Sequence, residues 1–180
     1  MRILGVDPGN ALTGYGVIER EGESRYVAAG TIRPHAAARG PKRLAAIYDN
    51  LIKLIDQYSP AVISLERSFV ALNIQSAFTL GEARAMAMLA AAHRGLELFE
   101  YTPTDVKLSV AGYGRADKRQ VKQMVRRTLK LDPAIALADD ASDALAIALC
   151  HLYRERIPQP DPRVRKAWPT ARKIAAARGS

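Results

Sequence analysis

Hydrophobic and polar positions change period about a fifth of the way along the chain. Residues 2–7 (RILGVD), 13–20 (TGYGVIER) and 25–33 (RYVAAGTIR) are short runs rich in β-formers. Turn signals separate them, Pro8-Gly9 after the first and Glu21-Gly22-Glu23-Ser24 after the second. Connections this short predict antiparallel neighbours. From Pro41, which suits the first position of a helix, Leu44, Ile47, Leu51, Leu54 and Ile55 recur at helical spacing up to Tyr58. Pro60 stops that helix, and residues 61–66 (AVISLE) form a buried-strand pattern. Asn73 is a candidate cap for a long helix ending near His93, with Gly95 supplying its C-terminal turn. Residues 96–101 (LELFEY) predict a fifth strand, and Thr104, Ala116 and Asp140 lie near the starts of further helices.

The order is βββ-α-β-α-β followed by helices. Three antiparallel strands leading into parallel crossovers predict an α/β protein with a mixed five-stranded sheet flanked by helices. That is the order of the ribonuclease H-like fold. The length of 180 residues suits one domain, placed at residues 1–156. Residues 157–180 turn polar, proline-containing and basic, and read as a flexible tail. In that tail Arg163, Arg165, Lys166, Arg172 and Lys173 suit nonspecific attraction of DNA, and a dispensable extension fits them equally.

Composition narrows the partners. Apolar residues make up 48% of the chain, enough for a core without staples. The formal charge of +9 favours a polyanionic partner, because basic groups displace condensed counterions from nucleic acid. The single cysteine, Cys150, excludes an internal disulfide and reads as a small buried hydrophobe. No run approaches the length of a membrane span, and Met1 leads directly into a strand without leader architecture. The expectation is a cytoplasmic, DNA-associated protein.

The candidate chemistry lies in acids. Asp7 ends the first strand and Glu66 ends the fourth, where a carboxylate beside the core loses solvation unless it gains a partner. Each taken alone fits an ordinary strand-end acid. Asp140 and Asp143 are three apart and share one helical face, with Asp139 rotated away from the pair. Alone, this pair fits a generous helix cap as well as a metal-facing edge. Together the acids offer hard oxygen ligands with no matching His or Cys set, which suits Mg²⁺ or Mn²⁺ better than zinc. Two such ions about 4 Å apart can activate water and stabilise the departing oxygen of a phosphodiester.

The segments GVDPGNALTGYGV, ISLERSF, VKLSVAGYGRADKRQVKQMV and DDASDALAIAL closely resemble the motifs of the RuvC family, the bacterial crossover-junction endodeoxyribonucleases. They occur in the family's order across residues 1–155. The resemblance implies that Asp7, Glu66, Asp140 and Asp143 are metal-binding catalytic acids. The doubled acid leaves a one-residue slip between Asp139 and Asp140 open, and the spacing to Asp143 favours Asp140. The resemblance also implies a homodimer that nicks two opposing strands of a four-way (Holliday) junction under Mg²⁺ during recombination and repair. It implies resealable ends, a T-rich cutting preference and a RuvA–RuvB branch-migration partner.

Lys107 and Lys118 match basic positions near the family's active site, where a lysine can hold a phosphate; most lysines are merely solvated. Phe69 matches a residue that stacks on an unpaired base, although an ordinary core phenylalanine fits the spacing too. Arg67 keeps that segment polar and is a further candidate DNA contact. The loop Gly112-Tyr113-Gly114-Arg115 reads as flexible and leads to a helix whose N-terminus could face a phosphate, with Arg115 beside it. It lacks the ending of a triphosphate-binding loop. The Ala-rich helix of residues 73–93 (NIQSAFTLGEARAMAMLAAAH) can pack on the sheet or on a second subunit. His35, His93 and His151 show no ligand spacing, and the sequence does not say what Trp168 anchors. An actin-like ATPase could begin with the same DPG but needs a second lobe that 180 residues do not supply. A junction-binding protein without catalysis would lack acids that this chain has, and nucleases of RNA hybrids share the fold.

Overall fold

A computed structural model describes residues 1–35, 38–67 and 74–155. Five strands, β1 (Arg2–Pro8), β2 (Thr13–Glu21), β3 (Glu23–Ile32), β4 (Val62–Glu66) and β5 (Glu97–Tyr101), form one sheet in the order β3-β2-β1-β4-β5. The first three pair antiparallel, and β4 and β5 join in parallel, as the connection lengths predict. The expected four-residue turn between β2 and β3 is tighter than the sequence suggests. Glu21 and Glu23 still pair across it, because Gly22 takes φ +80, where a side chain would be strained.

Helix α1 (Pro41–Tyr58) has the predicted bounds, and Ser59 ends it in the left-handed conformation. Helix α2 (Ile74–His93) follows, with Gly95 at φ +63 past its end. Its expected cap, Asn73, lies outside the described residues, as do the candidate tail and its boundary at 156/157. Helices α3 (Pro103–Ala111) and α4 (Lys118–Thr128) each start with a reciprocal capping box, from Thr102 with Asp105 and from Asp117 with Gln120. Helix α5 (Asp139–Glu155) completes the order.

Strand alternation assigns the two faces. On β1, Leu4 and Val6 point into a core shared with α1 and α2, whereas Ile3 joins the core beneath α3, α4 and α5. Gly5 and Asp7 therefore share the α5 side with Ile3. On β4, Ile63 and Leu65 face α1 and α2, which places Ser64 and Glu66 on the α5 side. Helix α5 is buried along nearly its whole length, from Ala144 to Leu152 without a break. It lies directly on the sheet because the strands beneath it carry glycines. A Cβ on Gly5 would stand 2.0 Å from the Ala144 carbonyl oxygen, and one on Gly14 2.1 Å from that of Asp140. No helix of the described residues is long and apolar enough to cross a membrane.

Candidate active site

The packing of α5 brings its first turn over the ends of β1 and β4. The register Val6↔Leu65 places Asp7 beside Glu66, and the two carboxyls share a hydrogen bond. Asp7 is pushed up to about 8 by burial, then by the charges of Glu66, Asp143 and Asp140 and by that hydrogen bond. Glu66, Asp140 and Asp143 thus all act on Asp7, although the four acids come from three separate elements.

Lys118, at the start of α4, completes the group. Its Nζ donates to Oδ2 of Asp143 at 3.1 Å, and this bond, with the charges of Asp143, Asp7 and Glu66, raises the pKa of the ammonium. A cavity of about 330 Å³ opens between these side chains, and Asp7, Glu66, Lys107, Lys118 and Asp143 supply its polar lining. Pro103, Val106, Val121, Ala146 and Ile147 form its apolar wall. A carboxylate set facing a low-dielectric wall strengthens any cation bound there.

The acid doublet resolves geometrically. Asp139 is exposed and turned toward Lys122, whose Nζ donates to its Oδ1 at 2.7 Å, and this contact holds its carboxyl below the usual range. Asp140 is half-buried and directs its charge at Asp7. Among the described residues no three His, Cys, Asp or Glu side chains are drawn tightly enough together to enclose one ion. Beside Asp143 the Lys118 ammonium supplies the positive charge instead. The donor set nevertheless fits a hard divalent cation: oxygen atoms only, around an Asp7 carboxyl whose pKa burial and the neighbouring acids raise.

Other sequence candidates separate. Lys107 on α3 reaches the cavity. The backbone N–H of Arg67 donates to the Tyr101 carbonyl at 2.8 Å, which extends the β4–β5 ladder just past Glu66, and its side chain is exposed. Phe69 lies outside the described residues. Arg115 is exposed and does not line the cavity. The N-terminus of α4, which could face a phosphate, carries a side-chain cap. Asp117 Oδ1 already accepts from the Gln120 N–H at 2.8 Å, so a carboxylate holds that place. The Tyr113 hydroxyl donates to Gln120 Oε1 at 2.6 Å, so the preceding loop is tied to the helix rather than free.

The remaining candidates are structural. Cys150 is buried against Ser109 and its thiol is pushed up to about 11 by burial, which keeps it inert. His151 is buried and hydrogen-bonded to the Tyr101 hydroxyl at 2.8 Å, and His93 pairs with Tyr48. Sequence reasoning passed over Lys122, Arg119 and Ser142, which meet beside Asp143. The spacing of Lys118 and Lys122, one helical turn apart, was the available signal.

The family model described as crossover junction endodeoxyribonuclease RuvC matches residues 3–151. The chain belongs to the RuvC family. It is 49% identical over 152 residues to the RuvC of Ruminiclostridium cellulolyticum, covering 84% of this chain and 91% of that one. It is 51% identical over 154 residues to that of Syntrophotalea carbinolica, covering 85% and 94%. Among solved structures, Thermus thermophilus RuvC in complex with Holliday junction substrate superposes with a TM-score of 0.81 at 29% identity, covering 87% of this chain and 95% of that one. The yeast mitochondrial Holliday junction resolvase Ydc2, at 14% identity and a TM-score of 0.65, shares the fold. The ribonuclease H-like architecture read from element order is thereby established, and the chain is an endodeoxyribonuclease of the crossover-junction type.

Proposed function

We propose that this RuvC-family endonuclease cuts two opposing strands of a four-way DNA junction at the cavity beside Asp7, with Asp7, Glu66, Asp140 and Asp143 as metal ligands. The observation that carries this reading is the convergence of acids from β1, β4 and α5 on one buried carboxyl, that of Asp7, whose pKa burial and the charges of the other three raise. A lone strand-end acid would remain ionised, and acids whose charges converge on one buried carboxyl call for a cation.

Mg²⁺ is the proposed ion, with Mn²⁺ able to replace it and two ions per site. When bound, the metal supplies Lewis-acid stabilisation of the phosphate and an ionised water at neutral pH. Asp7 would hold such an ion as a carboxylate, with its proton released. Lys118 exchanges Asp143 for a phosphate oxygen, and Lys107 approaches the same phosphate from α3. The apolar wall formed by Val106, Val121 and Ile147 limits competing water. Arg67 and Arg115 are placed by the same reading along the DNA path outside the cavity, and Phe69 is assigned the stacking contact with an unpaired base.

Symmetric cutting requires two copies of the site. Helix α2 supports a homodimer: Ala83, Ala87, Ala90 and Ala91 face inward, while Ile74, Phe78, Met88 and Leu89 are exposed on its outer side. Large apolar side chains along one exposed helix favour a self-complementary contact. A RuvA–RuvB branch-migration complex is the proposed partner that presents the junction.

A labelled synthetic four-way junction, incubated with Mg²⁺ beside linear duplex of the same sequence, tests the reading. Paired nicks confined to the junction, with ends that a ligase reseals, are expected. Junction binding without cleavage under any divalent metal or sequence context would instead identify a binding protein.

A further inference from the structure

The cavity beside Asp7 has a neighbour. Lys118 and Asp143 belong to the linings of both. The second space, of about 290 Å³, is lined by Lys118, Arg119, Lys122, Asp139, Ser142 and Asp143. Its cations come from the first turns of α4, where Lys118 and Lys122 stand four apart on one side. Three cations face two carboxylates, and both carboxylates are already engaged, Asp139 by Lys122 and Asp143 by Lys118. Ser142 completes the lining, with its hydroxyl buried behind it. It is 1% exposed and has no hydrogen-bond partner. An unpaired buried hydroxyl is unfavourable unless something supplies its missing partner.

We propose that this second cavity is a backbone-phosphate subsite, which holds an uncut phosphodiester of the strand whose neighbouring phosphate lies at the carboxylates. Lys122 and Arg119 are its cationic ligands and the Ser142 hydroxyl donates to a phosphate oxygen. The inference rests on the nuclease reading above for its ligand. Its geometry follows from the spacing of the polymer: each strand carries a charge every ~3.4 Å of helix axis, so a strand seated at one phosphate presents another close by. The partition between the two cavities is a single pair of side chains. Lys122 is held by Asp139 in the free protein and turns from that carboxylate to the phosphate when DNA arrives. Lys122, Arg119 and Ser142 are thus positioning residues, which fix where along the strand the cut falls.

The test reads binding separately from cutting. Four-way junctions carrying one neutral methylphosphonate, moved linkage by linkage around the branch point, are titrated in EDTA with the full chain and with Lys122→Gln. At one linkage, neutralisation should weaken wild-type binding about tenfold and Lys122→Gln binding far less, since the charge it met is gone. The slope of log affinity against log salt should fall by about 1 in Lys122→Gln and again in Arg119→Gln. Ser142→Ala should weaken binding in the unmodified junction without lowering the melting temperature. Equal penalties in wild type and Lys122→Gln at every linkage, or a Lys122→Gln protein with wild-type affinity and salt slope, would overturn the proposal. A protein that shows the coupling yet never cuts would refute the catalytic reading alone.

Discussion

Gly14 lies so close beneath the first turn of α5 that a Cβ on it would stand 2.1 Å from the carbonyl oxygen of Asp140. The contact is with backbone, so no side-chain rotation relieves it. Because Gly14 pairs with Asp7 across the β1–β2 ladder, this one approach sets how near Asp140 comes to Asp7. Gly14→Ala should therefore lift the helix start off the sheet, at a cost of about 1–3 kcal/mol in stability. Cleavage should fall further than the folded fraction does. Chemical denaturation and junction cleavage on the same preparation check this, and a stable variant with undiminished cleavage would show that the approach is not needed.

Asp7 makes the metal-free protein pH-sensitive. Its carboxyl is raised from 3.8 to about 8 in the folded state. A proton held more tightly when folded contributes stability that is complete below the unfolded value and is lost as pH rises through the folded one. The metal-free melting temperature should thus decline as pH rises from about 4 to about 8, and Asp7→Asn should flatten that decline. At pH 8 Asp7→Asn should be at least as stable as wild type without metal, and Mg²⁺ should stabilise only the wild type appreciably. A strongly destabilised Asp7→Asn would mark Asp7 as a structural acid.

The acid doublet separates by environment. Asp140→Asn should reduce cleavage by about a thousandfold or more, as expected where a group acts on the reacting centre. Asp139→Asn should retain cleavage within the same order of magnitude, since Asp139 faces Lys122 on the exposed side of the helix. Single-turnover rates decide it, and the reverse ranking would move the ligand by one residue.

Much of this was legible in the sequence, and the gaps have physical causes. The ends of β1 and β4 could be read because alternation and Pro-Gly or polar turn signals mark where each strand stops. The bounds of α1 followed from Pro41 and Pro60. The choice between Asp139 and Asp140 rested only on spacing, because a helical wheel gives a direction but not what lies there; Lys122 supplies the missing fact. The spacing of Lys118 and Lys122 hints at a shared face, but the meeting of Arg119, Lys122 and Ser142 is hidden for a similar reason. Their meeting depends on the packing of α4 against α5, which no local pattern encodes. At the N-terminus of α4, Asp117 and Gln120 form a reciprocal cap, which a helix-start argument alone does not show.

Lys118 offers a test of charge placement. Its side chain is 80% exposed, so its pair with Asp143 adds little to stability. Lys118→Gln should melt close to wild type yet cleave about a hundredfold more slowly. A large loss of stability with normal cleavage in the surviving protein would instead make the pair a structural clasp.

The outer face of α2 predicts the assembly. In the proposed dimer Met88→Glu would place a charge where apolar side chains meet and should yield a monomer that still folds, because Met88 is exposed in the single chain. Light scattering after size exclusion checks the mass. A variant that remains dimeric would place the interface on another surface.

The most direct measurement compares wild type with Asp7→Asn, Glu66→Gln, Asp140→Asn and Asp143→Asn on one labelled four-way junction, with binding and cleavage recorded in the same tubes under Mg²⁺ and under EDTA. Every variant should bind the junction and none should cut it, and wild type should cut only with the metal. Metal-dependent cleavage at the wild-type rate by any of the four would contradict the assignment of that acid. Cleavage by all four would show that the cut is made elsewhere.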